Sequence, residues 1–211
     1  MRAIQGREIL VVGDLYLDAY IFGLPSRVSR EAPIMVLEET RREERPGGGT
    51  APALAVAALG GTVWQAGVIG DDDEGRRILT LLHDHGVRTD GVLVDPTRPT
   101  TTKLRLVAEG PFNVLPQQVG RVDRQDRRPI DPSLAGRLAT FVETIGSRVD
   151  AVLLSDYRSG VVVPDVIAAA RRAARLATVD SQGSLADFAG LALVKCNQAE
   201  AEAYLGEPLD D

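Results

Sequence analysis

The feature that most limits how this chain can fold is a glycine-rich segment, RPGGGTAPALAVAALGG, at residues 45–61. The glycines at 47–49 have no Cβ, so the backbone there can adopt φ > 0 and a ligand can come close to its amides. Pro52 suits the first turn of a helix, where a missing N–H costs nothing, and this makes Thr50 or Ala51 the expected N-cap. The segment therefore predicts a loop that opens onto a helix N-terminus, a place where an anion or a hydroxyl is stabilised.

The helix that should follow this loop is composed almost entirely of Ala, Leu and Val, so small apolar side chains lie on every side of it. A helix of this composition is expected to be buried and closely packed. A buried helix that directs its positive end at a glycine loop indicates a ligand site. The glycines alone are equally compatible with a tight corner before a core helix, and the rest of the chain has to decide.

Composition narrows the classes of function. The chain has 211 residues, 44% apolar and 26% charged, which is typical of a globular protein with a substantial core. No apolar run approaches the ~20 residues of a membrane span and no basic-then-apolar leader is present, so we expect a cytoplasmic protein with no membrane partner. A net charge of −6 argues against a nucleic acid partner, although a phosphate substrate needs only a few local cations and stays compatible.

Short apolar runs that end at glycine or at a polar residue are typical of strands buried on both faces of a parallel sheet. We predict strands at residues 7–13, 62–69, 91–94, 151–154, 177–179 and 191–194. We predict helices at residues 75–85, 132–146, 163–176 and 198–205. This order predicts an α/β fold with a doubly wound, mostly parallel sheet and helices on both faces.

Two parts of the chain interrupt the alternation of strand and helix. Residues 19–44 and about 99–123 contain segments in which apolar and polar side chains alternate, as they do in exposed antiparallel strands. The clearest are residues 34–40, residues 100–107 and a segment around 112–122. Strands of this kind, inserted between buried ones, predict a small β-sheet that stands off the main sheet as a lid.

Two carboxylates follow the first predicted strand. Asp14 comes directly after Gly13, and Asp18 lies four positions further on. Ligands of open α/β sheets bind beyond the carboxyl ends of the strands, so both side chains are placed to accept hydrogen bonds from ligand hydroxyls. The alternative for Asp14 is a turn or cap residue.

Neither a P-loop nor a dinucleotide fingerprint is supported, because no G-x-x-x-x-G-K-[ST] occurs and no G-x-G-x-x-G follows a strand.

Together these segments resemble the ribokinase-like PfkB carbohydrate kinases, and within them the kinase domain of bifunctional heptose-7-phosphate kinase/adenylyltransferases. The likeness is carried, in family order, by VVGDLYLDAYIFG (11–23), SREAPIMV (29–36), ERPGGGTAPALAVAALGG (44–61), GVIGDDDEG (67–75), PTTTKLR (99–105), LLSDYRSG (153–160) and NQAE (197–200). The resemblance implies one ribokinase-like domain over residues 1–211. It also implies a sugar bound between the sheet edge and the lid, ATP in the adjoining groove, and transfer of the γ-phosphoryl group to a sugar hydroxyl.

The resemblance assigns substrate-binding roles to individual residues. Asp14 and Asp18 correspond to carboxylates that hold sugar hydroxyls. Gly47 and Gly48 correspond to the glycine pair that lines the same pocket. Further lid or pocket positions of the heptose kinases are matched by Glu31, Lys103 and Arg105.

The same resemblance assigns the nucleotide side of the site. Asn197 and Glu200 form the N-x-x-E motif of the family, which is associated with phosphate and with Mg²⁺. A carboxylate such as that of Glu200 suits a hard cation that keeps most of its waters. ATP and Mg²⁺ are therefore the expected cofactors. The lid strands and an uncovered sheet edge also lead us to expect a homodimer.

The chain departs from the family pattern at several positions. Ala51 stands where the family usually has Asn, Ser159 where heptose kinases have the Lys of Asp-Tyr-x-Lys-Gly, and Gln182 where they have the Lys of Asp-Pro-Lys. The family also continues past the point that matches Asp211 into a G-A-G-D segment with the catalytic Asp. We therefore expect a C-terminally truncated fold, no catalytic base among these residues and an inactive isolated chain. The alternative function is a non-catalytic sugar-phosphate-binding protein derived from such a kinase.

Overall fold

A computed structural model of the chain describes residues 4–110 and 115–209. Its strands are β1 (Glu8–Val28), β2 (Met35–Gly48), β3 (Thr62–Ile69), β4 (Arg88–Val94), β5 (Thr101–Ala108), β6 (Gln117–Arg124), β7 (Ala151–Asp156), β8 (Ala177–Ser181) and β9 (Leu193–Lys195). Its helices are α1 (Ala51–Ala58), α2 (Asp73–Asp84), α3 (Pro132–Gly146), α4 (Pro164–Ala173) and α5 (Gln198–Leu205), with a 3₁₀ turn at Leu185–Phe188.

The main sheet contains parallel strands in the spatial order β4-β3-β1-β7-β8-β9. The chain starts in the middle at β1, winds outward through β3 and β4, and later winds outward on the other side through β7, β8 and β9. Helices α1 and α2 contribute to an apolar layer on one face of the sheet, and helices α3 and α4 contribute to the layer on the other face. The prediction of a doubly wound, mostly parallel α/β fold is confirmed.

The lid is formed by β2, β5, β6 and the second half of β1. From Leu15 onward β1 pairs antiparallel with β2, and from Tyr16 onward it also pairs parallel with β5, which pairs antiparallel with β6. The predicted strand around residues 112–122 corresponds to β6. Residues 111–114, which include the start of that predicted strand, lie outside the described part of the chain.

The prediction that the first strand ends at Gly13 was wrong, since β1 is a single strand of 21 residues that belongs to both sheets. Gly13 does not break the strand. A Cβ at that position would lie 2.2 Å from the carbonyl oxygen of Ser155, so glycine permits a close approach between β1 and β7.

The prediction that α1 is buried on every side was also wrong. Ala53 and Val56 are buried, whereas Ala51 and Ala55 are exposed. The helix lies on one face of the sheet, so its other side meets solvent, and alanine is tolerated on both sides. An alanine-rich helix therefore does not reveal its buried face in the sequence.

No helix in the two described ranges has both the length and the apolar character needed to cross a membrane.

Candidate functional site

An ion pair lies at the base of the lid, where β1 leaves the main sheet. Arg105 Nη1 donates to Asp18 Oδ1 at 2.8 Å, and each side chain keeps about a fifth of its surface exposed, 19% for Arg105 and 21% for Asp18. The parallel register of β1 and β5 also sets Asp18 directly beside Lys103. The lid therefore brings three of the residues that were predicted to contact substrate into one place.

The glycine loop packs tightly against this ion pair. A Cβ on Gly47 would lie 2.1 Å from Asp18 Oδ2, and a Cβ on Gly48 would lie 2.8 Å from the ring of Tyr16. Gly48 also has φ +57°, a conformation that side chains rarely adopt. Both glycines are thus required for the loop to reach the carboxylate.

Two amides of the loop are used by the protein itself. The Gly49 amide donates to the Asp14 carbonyl at 2.7 Å, and the Thr50 amide donates to the Gly47 carbonyl at 3.2 Å. The Thr50 hydroxyl also donates to Gly47, at 2.7 Å. Thr50 is the N-cap, one of the two predicted residues, but the expectation of bare amides at residues 47–49 was wrong for Gly49. The loop uses these two amides to fold back onto β1.

Lys103 presents its ammonium group to two aromatic rings. Its Nζ lies 4.5 Å from the ring centroid of Tyr16 and 5.8 Å from that of Tyr157. Within residues 4–110 and 115–209 its ammonium forms no salt bridge with a carboxylate, and burial lowers the pKa of Lys103. The cation is therefore held by ring faces and keeps its hydrogen-bond donors for a ligand. Sequence reasoning missed both tyrosines as site residues.

Asp14 is almost completely buried, with 1% of its surface exposed. Its carboxylate accepts hydrogen bonds from the backbone amides of Tyr157 (2.7 Å), Ser159 (3.0 Å) and Val161 (3.2 Å). Burial raises the pKa of Asp14 to about 6, although these hydrogen bonds lower it in part. The carboxylate thus fixes the loop at residues 157–161, as a turn residue would, and its contact with a sugar stays a prediction.

A buried ion pair also lies beside this loop. Arg98 Nε donates to Asp95 Oδ2 at 2.9 Å, and the side chains are 8% and 4% exposed. Arg98 also donates to the carbonyls of Arg128 (3.0 Å) and Pro129 (3.1 Å), and its Nη1 lies 3.5 Å from the carbonyl of Ser159. The pattern of the sequence did not reveal this anchor, because its partners other than Asp95 are backbone carbonyls of distant residues.

Glu31 lies apart from the other candidates. It is an exposed residue in the turn between β1 and β2, beyond Val28. Ten strand positions separate Val28 from Asp18, which is up to roughly 33 Å at about 3.3 Å per residue. Within one copy of the chain the structure does not bring Glu31 to the pocket, and its role in binding stays a prediction.

Asn197 and Glu200 form the N-terminal capping box of α5. Asn197 Oδ1 accepts from the Glu200 amide at 2.8 Å, and Glu200 Oε2 accepts from the Asn197 amide at 2.7 Å. They also line a small cavity of about 100 Å³ with Asp156, Asp180 and Lys195. The N-x-x-E motif therefore has a local structural role, and its phosphate and metal contacts stay predictions.

The oxygen atoms at this cavity suit Mg²⁺ only with help from other ligands. Among the described residues no group of three or more His, Cys, Asp or Glu side chains is arranged to hold a metal ion alone. The second carboxylate oxygen of Glu200 is not used by the capping box. The arrangement fits a Mg²⁺ ion that keeps its waters and takes most of its remaining ligands from substrate phosphates.

Comparison with known proteins identifies the family. Residues 7–211 match the model of the pfkB family carbohydrate kinases. Two relatives are the bifunctional protein HldE of Pelobacter propionicus, 37% identical over 99% of this chain, and that of Geobacter metallireducens, 39% identical over 96%. The chain spans 42% and 41% of the lengths of these two relatives.

Solved structures agree on the fold. Escherichia coli phosphofructokinase-2 in complex with substrates and products has a TM-score of 0.74 and 22% identity, over 98% of this chain and 65% of that one. Arabidopsis thaliana ribokinase complexed with ribose and ATP has a TM-score of 0.68 and 17% identity, over the same shares. With the family model matching almost the whole length, the chain belongs to the PfkB family of carbohydrate kinases.

Proposed function

We propose that this chain provides the sugar-binding part of an ATP-dependent sugar kinase, with a phosphosugar such as heptose 7-phosphate as the favoured substrate. The observation that carries the proposal is the cluster of Asp18, Arg105 and Lys103 at the base of the lid. Asp18 accepts hydrogen bonds from sugar hydroxyls, and the two cations supply charge-assisted hydrogen bonds to a phosphate group. Since β1 belongs to both sheets, the lid and the main sheet are proposed to act as one domain over residues 1–211.

The nucleotide is proposed to bind beside Asn197 and Glu200, on the adjoining part of the sheet edge. Likeness to a ribokinase that was solved with ribose and ATP supports ATP as the donor. Glu200 would hold Mg²⁺ through its waters. When bound, the ion neutralises the charge on the transferred phosphoryl group.

We do not propose a catalytic base among the described residues. Asp156 accepts hydrogen bonds from the Arg158 amide (2.9 Å) and the Ser181 hydroxyl (2.7 Å), so both of its oxygens are engaged. Asp180 forms an ion pair with Lys195 at 3.0 Å. A base has to lie within about 3 Å of the acceptor hydroxyl with an oxygen free to take its proton.

A non-catalytic binding protein is the second candidate, favoured by Ser159 and Gln182 at the positions of two family lysines. Assays of the complete polypeptide that contains these residues distinguish the two functions. Substrate-dependent release of ADP from MgATP indicates the kinase. Tight phosphosugar binding without release of ADP indicates the binding protein.

Lys103→Ala is expected to weaken the binding of heptose 7-phosphate by roughly 10- to 100-fold, because a charge-assisted hydrogen bond to the phosphate is lost. Isothermal titration calorimetry on the 211-residue chain measures this change. The affinity for the unphosphorylated heptose should change far less. Lys195→Ala, which removes a cation paired with Asp180, is the matched control and should leave both affinities within about twofold.

Equal loss of affinity for the phosphorylated and the unphosphorylated sugar would show that Lys103 does not recognise phosphate. Absence of saturable binding of any phosphosugar by the unaltered chain would refute the proposed function itself.

We further propose that the chain forms a homodimer through the lid. Ile34, Met35 and Val119 are 62%, 49% and 45% exposed and line a groove of about 560 Å³ on the lid. Light scattering is expected to give twice the monomer mass, and Met35→Glu should shift the protein to the monomer because it places a charge in an apolar contact. The alternative interface is the edge of the main sheet at β9. Leu193, which is 59% exposed there, is replaced in Leu193→Glu to test this edge. If only Leu193→Glu gives a monomer, the sheet edge is the interface instead.

A further inference from the structure

Arg158 has a backbone conformation that is costly for an arginine. Its φ is +59°, and in residues 4–110 and 115–209 it shares a positive φ with a single other non-glycine residue, Ser184 at +50°. The left-handed region brings Cβ too close to the following carbonyl oxygen, so glycine adopts it with less strain. Glycine does occupy such positions in the same two loops, at Gly160 (φ +83°) and Gly183 (φ +142°).

The side chain of Arg158 recovers little of this cost within the protein. Its Nη1 donates to the Ser184 hydroxyl at 2.8 Å, in an exposed contact. The guanidinium forms no ion pair with any carboxylate in the described ranges, so most of its five donors remain available. A Cβ on Gly183 would lie 2.7 Å from Nη1, so the missing side chain there makes room for the guanidinium.

The location of the guanidinium indicates what it binds. Its partner Ser184 lines a cleft of about 570 Å³, together with Gln182, Asn197 and Glu200. The preceding residue, Tyr157, lies under Lys103 in the phosphosugar pocket, with 5.8 Å between Nζ and the ring centroid. The Arg158 guanidinium therefore contacts a residue of the cleft proposed for the donor, and its neighbour Tyr157 lies by the pocket proposed for the acceptor.

We propose that Arg158 binds phosphate oxygens of the polyphosphate donor in this cleft. Arginine suits the task because its planar guanidinium forms paired hydrogen bonds with a phosphate group. Nearby acidic charge does not prevent this, because Asp180 is paired with Lys195, and the Mg²⁺ that accompanies the ligand would neutralise Glu200. The inference rests on the proposed function, since phosphoryl transfer requires the donor to lie beside the acceptor.

The test measures the binding of inorganic tripolyphosphate with Mg²⁺ to the 211-residue chain by calorimetry. Tripolyphosphate requires only the phosphate-binding residues and no base or ribose contact. Arg158→Gln is expected to weaken binding by at least about tenfold, the loss typical of a hydrogen bond to a charged group. Arg158→Gly should lose the same affinity while its Tm stays unchanged or rises by about 2–4 °C, because glycine relieves the left-handed strain.

One control separates this role from general charge. Arg137→Gln removes one exposed positive charge from α3 and should bind tripolyphosphate within about twofold of the unaltered chain. No saturable binding by the unaltered chain, or unchanged affinity in Arg158→Gln, would overturn the inference. Heptose 7-phosphate titrated into Arg158→Gln tests the proposed function separately, because the phosphosugar pocket is intact in this variant.

Discussion

Asp14→Ala is expected to lower the free energy of unfolding by about 3 kcal/mol or more, and the Tm by roughly 6–12 °C. The substitution leaves the backbone amides of Tyr157, Ser159 and Val161 without an acceptor in a buried site. A buried donor that loses its partner costs about 1–3 kcal/mol. Urea and thermal denaturation of the 211-residue chain measure the effect.

Asp18→Ala is the matched control for Asp14→Ala, because Asp18 is a nearby carboxylate on the same strand. It loses a partly exposed ion pair with Arg105, so its stability should fall by only about 1 kcal/mol. Its main effect should be weaker binding of heptose 7-phosphate. If Asp14→Ala is as stable as Asp18→Ala and also fails to bind the sugar, Asp14 contacts the substrate and its anchoring of the loop is minor.

The buried carboxyl of Asp14 also makes stability depend on pH. Its folded pKa of about 6 lies above the ordinary value of 3.8, so between these values the folded state holds a proton that the unfolded state has lost. The contribution of Asp14 to the free energy of unfolding should therefore fall by roughly 3 kcal/mol as the pH rises from about 4 to about 6, at 1.36 kcal/mol per pKa unit. Denaturation across this range measures it as the fall in the difference in unfolding free energy between the unaltered chain and Asp14→Asn.

Arg98→Ala is expected to destabilise the chain by about 3–5 kcal/mol, because it leaves the Asp95 carboxylate buried without its counterion. It also removes the donors to the carbonyls of Arg128 and Pro129. Denaturation in urea gives the magnitude. Hydrogen exchange should show that the amides of residues 157–161 lose protection first, since Arg98 contacts the Ser159 carbonyl and the neighbouring segment at residues 128–129.

A double substitution, Asp95→Asn with Arg98→Met, controls for the loss of the arginine stem. If the charges matter as a pair, the double variant is less destabilised than the sum of the two single variants. Additive losses would mean that the hydrogen bonds to the carbonyls, and not the ion pair, hold the loop.

The regular parts of the fold follow directly from the sequence. Strand β3 and helices α3 and α5 have the predicted bounds. Strand β3 and helix α3 combine an apolar pattern with a turn or cap residue at the start, whereas α5 is marked by its capping box alone. The predicted β1 was too short because glycine commonly ends a strand. The neighbouring sequence does not show that Gly13 instead permits a close approach to Ser155. The burial of α1 was overestimated for a similar reason, because alanine is tolerated both in the core and on the solvent-exposed side of a helix.

The candidate site could be predicted only in part. The segments that contribute Asp18, Lys103 and Arg105 follow from a family likeness, and the strand register then brings these residues together. The orientation of Asp14 depends on where the amides of residues 157–161 lie. These residues are more than 140 positions away in the chain, so the local sequence does not reveal the contact. Tyr16 and Tyr157 were not predicted as site residues, because an aromatic residue next to a strand is usually a core residue. In the structure both rings lie near Lys103.

The continuity of β1 has a mechanical consequence. The register shifts of the β1–β2 pair fall at Phe22/Gly23 and Pro25/Arg27, whereas residues 15–22 pair with β2 without a shift. Strands bend at such irregularities. The bends of the lid therefore fall in its outer part, whereas the inner part continues from the main sheet without a shift. Asp18 lies on the inner part, so the main sheet sets its position, and little binding free energy is spent on ordering it.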